Sequence, residues 1–298
     1  MIDANETFGG TWPFAPRYFE GNGFRMHYID EGKGDPIVCL HGEPTWGYLY
    51  RRFIPPLSQS HRVIVPDHMG FGKSATPRDR EYSLSSHVEN LTRLVDALDL
   101  KNVTFVIQDW GGLIGAAYTL RHPERIKRLF LLNTLSGYGK IPFDGLTPWF
   151  QFVKKHHDAK TLHEILGNLD ANALSVMKIM GFENSAAVDS NWIAAYSAAF
   201  PTKDDCVGAI EFPLDAVLGR IAPYIKEGFP LLDNLKSKPA MLTVGMKDRT
   251  IAADRQLADF RAVWPGRPII KLPNAGHFSQ EDEPDTIIAL IQQFIQST

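Results

Sequence analysis

Only two cysteines, Cys39 and Cys206, occur in 298 residues, too few for a disulfide framework. No stretch approaches the ~18 consecutive apolar residues of a membrane-spanning helix. The opening MIDANETFGG lacks the basic start and apolar run of a signal peptide. Charge of one sign is scarce as well. Against 34 acidic residues stand 31 basic ones, a net charge of −3, which leaves no surplus for holding a nucleic-acid backbone or an anionic membrane. No His/Cys cluster has metal-ligand spacing, and the glycines of PDHMGFGKS (66–74) lack the spacing of a phosphate loop. Repeats, low-complexity tracts and linker-like stretches are missing too. What the chain does have is 44% hydrophobic and 22% charged residues, enough to bury a sizeable core. The expectation is a soluble, cytoplasmic globular protein, monomeric by default.

Short β-branched runs alternate with helical patterns in the first half. Pro36–Leu40, Val63–Val65, Val103–Ile107 and Leu129–Leu132 are continuously apolar, as strands buried on both faces are. Between them Leu84, Val88, Leu91, Val95 and Leu98 recur at helical spacing behind a capping Ser83. Alternation stops after Asn133: Leu162–Leu169, Ala173–Met180 and Asn191–Ala199 read as helices without strands. It returns with Ala240–Val244 and Ile269–Leu272 as strands and Asp254–Trp264 and Asp285–Ile295 as helices. The pattern predicts an α/β fold with a mostly parallel sheet flanked by helices. Its core takes residues 1–134 and 223–298, and 135–222 form an inserted helical cap over the sheet edge where such folds bind ligands.

Chemistry concentrates at the junction Val103-Thr-Phe-Val-Ile-Gln-Asp-Trp-Gly-Gly, where a strand runs straight into a helix with Asp109 at the joint. Two readings are open. Asp is a favoured helix cap; equally, a sharp strand-to-helix turn can expose a reactive side chain as a nucleophile elbow, although Ile107 stands where a glycine is usual. An ionised carboxylate can attack a carbon electrophile without a base, forming an ester that must then be hydrolysed. Asp248 and His277 follow two later strands, at the same sheet edge. The order nucleophile, acid, His is that of α/β-hydrolases, with His277 activating water and Asp248 orienting its imidazole. His41-Gly-Glu-Pro-Thr-Trp follows the first buried strand, where such enzymes place one oxyanion-hole donor. That assigns the backbone N–H groups of Glu43 and Trp110 to the hole, against the bland alternative of an ordinary strand-to-helix turn. Cys39 reads as a small buried hydrophobe and Asp67 as a structural turn residue.

Together HGEPTW (41–46), PDHMGFGKS (66–74), QDWGG (108–112), GMKD (245–248), AGHFSQE (275–281) and YSAAFP (196–201) resemble the haloalkane dehalogenase family of α/β-hydrolases. Glu43 after HG, with the acid after GMK, is similar to the subfamily that binds halide with two tryptophans. The resemblance implies Asp109 as nucleophile, His277 as base, Asp248 as acid, and Trp110 and Trp149 as halide donors, with Trp192 the competitor for the second place. It also implies a small apolar halogenated substrate, a released halide ion, and no cofactor or metal. Three rivals share the scaffold. Epoxide hydrolysis would need phenols such as Tyr138, Tyr196 or Tyr224. The β-lactone decarboxylases of olefin biosynthesis resemble the chain near Trp12–Phe19 but usually carry Asn at the place of Glu43. The third rival is a ligand-binding receptor that performs no chemistry.

Overall fold

The computed structural model describes residues 2–139 and 145–298. Its strands are β1 (Arg17–Phe19), β2 (Met26–Glu31), β3 (Pro36–Leu40), β4 (Arg62–Pro66), β5 (Val103–Gln108), β6 (Ile126–Leu132), β7 (Ala240–Gly245) and β8 (Ile269–Leu272). They form one sheet in the order β1-β2-β4-β3-β5-β6-β7-β8. From β4 to β8 every pairing is parallel, whereas β1 and β2 add to the edge antiparallel. All six expected strands are present, because β3, β5 and β7 are buried along their whole length and so are apolar without interruption. The two antiparallel strands were not foreseen. One is three residues long, and the other, MHYIDE, mixes apolar and charged residues with no strict alternation in burial, which hides its period.

The principal helices are α1 (Leu84–Ala97), α2 (Trp110–Arg121), α3 (Pro148–Asp158), α4 (Leu169–Met180), α5 (Ser190–Ser197), α6 (Val207–Val217), α7 (Ala253–Val263) and α8 (Pro284–Ser297). As expected, the Ser83 hydroxyl caps α1 by accepting from the Ser86 N–H. Among the described residues, only helices and turns lie between β6 and β7. The expected helix over 162–169 is a short one, Leu162–Ile165, followed by a 3-10 turn, whereas the 173–180 helix begins four residues earlier, at Leu169. Two of these eight helices escaped the sequence pattern. In α6, Pro213 sits inside the helix and reads as a breaker, and α3 begins with Pro148 behind a Thr147 cap.

Two structural carboxylates join distant parts of this frame. Asp67 accepts from the His27 ring at 2.8 Å and from the Gly47 and Lys73 N–H groups, each at 2.8 Å, which is the structural turn role read from the sequence. Glu281, fully buried, pairs through both oxygens with Arg51 and also accepts the Tyr196 hydroxyl of α5 at 2.6 Å. Removing one partner of a buried pair leaves a charge unsatisfied, at a cost of about 3 kcal/mol or more. Glu281→Ala is therefore expected to lose about that much stability, read as a lower urea midpoint at unchanged slope.

Candidate active site

Five strand ends converge on one edge of the sheet. Asp109 follows β5 and adopts φ 51°, ψ −123°, a backbone conformation that costs an L-residue ~1–3 kcal/mol. Although Asp109 stands at the N-cap position of α2, its side chain makes no capping hydrogen bond, which removes the bland reading of this residue. Instead the carboxylate points across the strand ends, where its Oδ1 accepts the Glu43 N–H at 2.9 Å. Two close approaches permit this. A Cβ on Gly42 would stand 2.0 Å from Asp109 Oδ1, and one on Gly111 would stand 2.3 Å from the Leu40 carbonyl oxygen.

His277, fully buried, lies between two carboxylates. Its Nδ1 is 3.0 Å from Asp248 Oδ2 and its Nε2 is 3.3 Å from Asp109 Oδ2. Burial would pull this imidazole down. The Asp248 charge, hydrogen bonds to Asp109 and Asp248 and the Asp109 charge together push it up to about 10. Asp248 is itself fixed by four further donors: the Thr250 and Ile251 N–H groups and the side-chain amides of Asn133 and Gln256, all at 2.8–2.9 Å. The Glu43 carboxyl sits well above the usual carboxylate range, raised by burial and by the adjacent Asp109 charge.

The sequence-selected residues Asp109, Asp248, His277, Glu43 and Trp110 are brought together. Of the two oxyanion-hole donors expected, the Glu43 N–H already faces the carboxylate; the Trp110 N–H makes no such bond. A cavity of about 340 Å³ opens in front of Asp109, walled by Trp110, Leu113, Leu135, Phe150, Ile225 and Ile251, among others. The Trp110 ring stacks on Phe212 of α6 at 4.6 Å and 11°. Trp149 lies beside this wall rather than in it. From its helix, Phe150 lines the cavity, while Trp149 is buried and stacked on Phe152 at 5.7 Å. Its competitor Trp192 stacks on Phe182 at 5.2 Å, away from the lining, with a buried N–H that finds no partner among the described residues. No tyrosine lines the cavity among the described residues, and the Tyr196 hydroxyl is committed to Glu281.

Three site residues escaped sequence reasoning. Asn133 ends β6 at the same edge and binds both Asp248 and the Gly245 backbone; a polar residue terminating a buried strand was the available signal. Gln256 reaches Asp248 from α7, with no local pattern to announce it. Gln108, fully buried, sets its amide 3.1 Å from His277 Nε2. A neutral Nε2 takes the amide N–H, whereas a protonated one requires the amide oxygen, so the orientation of Gln108 follows the charge of the imidazole.

Against known proteins, a family model described as alpha/beta hydrolase fold matches residues 35–284. The chain belongs to the α/β-hydrolase family. This hydrolase is 33% identical to a haloalkane dehalogenase of Psychrobacter cryohalolentis, over 95% of this chain and 92% of that one. It is also 31% identical to a cis-3-alkyl-4-alkyloxetan-2-one decarboxylase of Shewanella oneidensis, over 96% and 90%. Among solved structures, the haloalkane dehalogenase DpaA of Paraglaciecola agarilytica superposes with a TM-score of 0.80 at 31% identity, covering 97% of this chain and 94% of that one. That relative is a tetramer, so the expectation of a monomer finds no support there. No helix among the described residues is long and apolar enough to cross a membrane.

Because His277 binds its proton more tightly folded than unfolded, its stabilising contribution is complete below about pH 6.5. It is lost as pH rises through about 10. The Tm difference between the hydrolase and a His277→Phe variant should therefore shrink steadily from pH 7 to pH 10; a constant difference would contradict the ion-pair geometry.

Proposed function

We propose that this protein hydrolyses haloalkanes to an alcohol, a halide ion and a proton. The observation that carries the reading is a carboxylate turned into a largely apolar cavity, with a donor-only indole beside it and an imidazole behind it. In this scheme Asp109 attacks an sp³ carbon in line with the carbon–halogen bond, forming an ester as the halide departs. The indole N–H of Trp110 receives the halide; Trp149 of α3, the expected second donor, is not among the residues that line the cavity. Indole is a donor without acceptor capacity, so it stabilises an anion and cannot compete as a nucleophile. Donors aimed at charge that develops during displacement lower the barrier rather than merely tightening substrate binding.

Ester formation also prepares the second step. It cancels the Asp109 charge that helps to hold the His277 proton, so the imidazole releases that proton to solvent and becomes a base. Neutral Nε2 then takes a proton from water, whose oxygen attacks the ester carbonyl. Asp248 keeps the ring oriented, and the Glu43 and Trp110 N–H groups receive the oxyanion. Collapse releases the alcohol and restores the Asp109–His277 pair. Residues 135–222 act in this reading as the cap that closes the cavity over the core.

A second reading has its own support, in the decarboxylase of Shewanella oneidensis. The lack of a cavity phenol among the described residues argues against the epoxide alternative. One panel separates these reactions: bromo- and chloroalkanes read by halide release, a cis-3,4-dialkyl oxetan-2-one read by carbon dioxide, and styrene oxide read by diol. Halide release is expected, with Asp109→Ala inactive and Trp110→Phe slower on the order of 10²-fold. In His277→Phe, intact-mass measurement should find the alkyl group on Asp109. An unmodified protein, or a panel positive only for carbon dioxide, would reject the haloalkane reading.

A further inference from the structure

The C-terminal end of α4 docks onto both loops that carry the catalytic acid and the histidine. The last carbonyls of a helix have no partner within it and must find one elsewhere. Here the Met180 carbonyl accepts the Arg249 N–H at 3.0 Å and the Thr250 hydroxyl at 3.1 Å, next to Asp248. The Gly181 carbonyl accepts the Phe278 N–H at 3.3 Å, next to His277. Gly181 has φ +126°, and a Cβ there would come within 2.9 Å of the His277 nitrogen, so chain and loop are in contact at this point.

One carboxylate completes the junction. Asp282 Oδ1 accepts the Glu183 and Asn184 N–H groups, at 3.0 and 2.8 Å, from the chain that leaves α4. Its Oδ2 accepts the N–H of Gly276, the residue before His277, at 2.8 Å. The two oxygens of a single side chain thus tie the inserted helices to the histidine loop.

We propose that Asp282 is a positioning residue that couples the inserted helices to His277, so that docking of those helices sets the imidazole for ester hydrolysis. The proposal rests on the haloalkane reading for its kinetic consequence, though not for its geometry. Displacement by Asp109 needs the strained turn after β5, which Asp282 does not touch. Hydrolysis needs His277 Nε2 aimed at a water, and an ångström of misplacement can cost ~10²-fold in rate. Asp282→Asn keeps the shape but gives up one acceptor oxygen, and Asp282→Ala gives up both.

The test combines rapid-quench kinetics with proton NMR on the full chain, with 1-bromobutane and 1,2-dibromoethane as probes. In both variants bromide should appear in the first turnover at nearly the wild-type rate. Ester hydrolysis should slow by about 10- to 100-fold, with alkylated Asp109 accumulating by mass. The downfield resonance of the His277 Nδ1 proton, shared with Asp248, should shift or broaden in the same variants. Equal slowing of both steps alongside a lowered Tm would mark Asp282 as merely structural and overturn the proposal. Unchanged hydrolysis would overturn it as well. If the wild-type enzyme releases no bromide, the haloalkane reading fails, and the resonance alone decides: unchanged in Asp282→Asn, it overturns the positioning role.

Discussion

The site depends on how the chain turns at Asp109. A φ of 51° at a residue with a side chain is unfavourable, and it persists only because β5 is locked between β3 and β6 and buried along its full length. That turn swings the carboxylate out of the capping position and into the space left by the missing side chain of Gly42. A relaxed α-helical start at the same residue would satisfy the helix end and lose the orientation toward the cavity. Strain in the backbone is here the means by which an aspartate at a helix start comes to face a cavity.

Around that carboxylate the charges are arranged so that each explains its neighbour. His277 holds a proton because two carboxylates flank it, and burial, with the Asp109 charge added, raises the Glu43 carboxyl well above the usual carboxylate range. A covalent bond at Asp109 would remove one of the two flanking charges, weakening the hold on the imidazole proton as a base is required. In the proposed reaction the same groups serve attack, activation of water and reset of the site. The apolar wall raises the strength of each interaction by keeping water from screening it.

The inserted helices do more than supply part of the cavity lining. Phe212 of α6 braces the Trp110 ring, Tyr196 of α5 joins the Arg51–Glu281 pair, and the end of α4 grips the loops of Asp248 and His277. Sheet and inserted helices therefore share their polar contacts around one site. A change in either should be felt at the imidazole.

The local sequence carried the repeating parts of this architecture. Buried parallel strands are continuously apolar, so their number and the placement of Asp109, Asp248 and His277 at strand ends could be read directly. The bare edge strands, the Pro-containing α6 and the Asn133 and Gln256 contacts could not, because each depends on partners far away in the chain. Periodicity records which face of an element is buried; it does not record what that face meets. Only the folded protein decided that Asp109 faces a cavity instead of capping its helix, that Phe150 rather than Trp149 is among the residues lining that cavity, and that Asp282 joins two segments about a hundred residues apart. Those outcomes come from backbone strain and side-chain packing between distant segments, which a one-dimensional pattern does not encode.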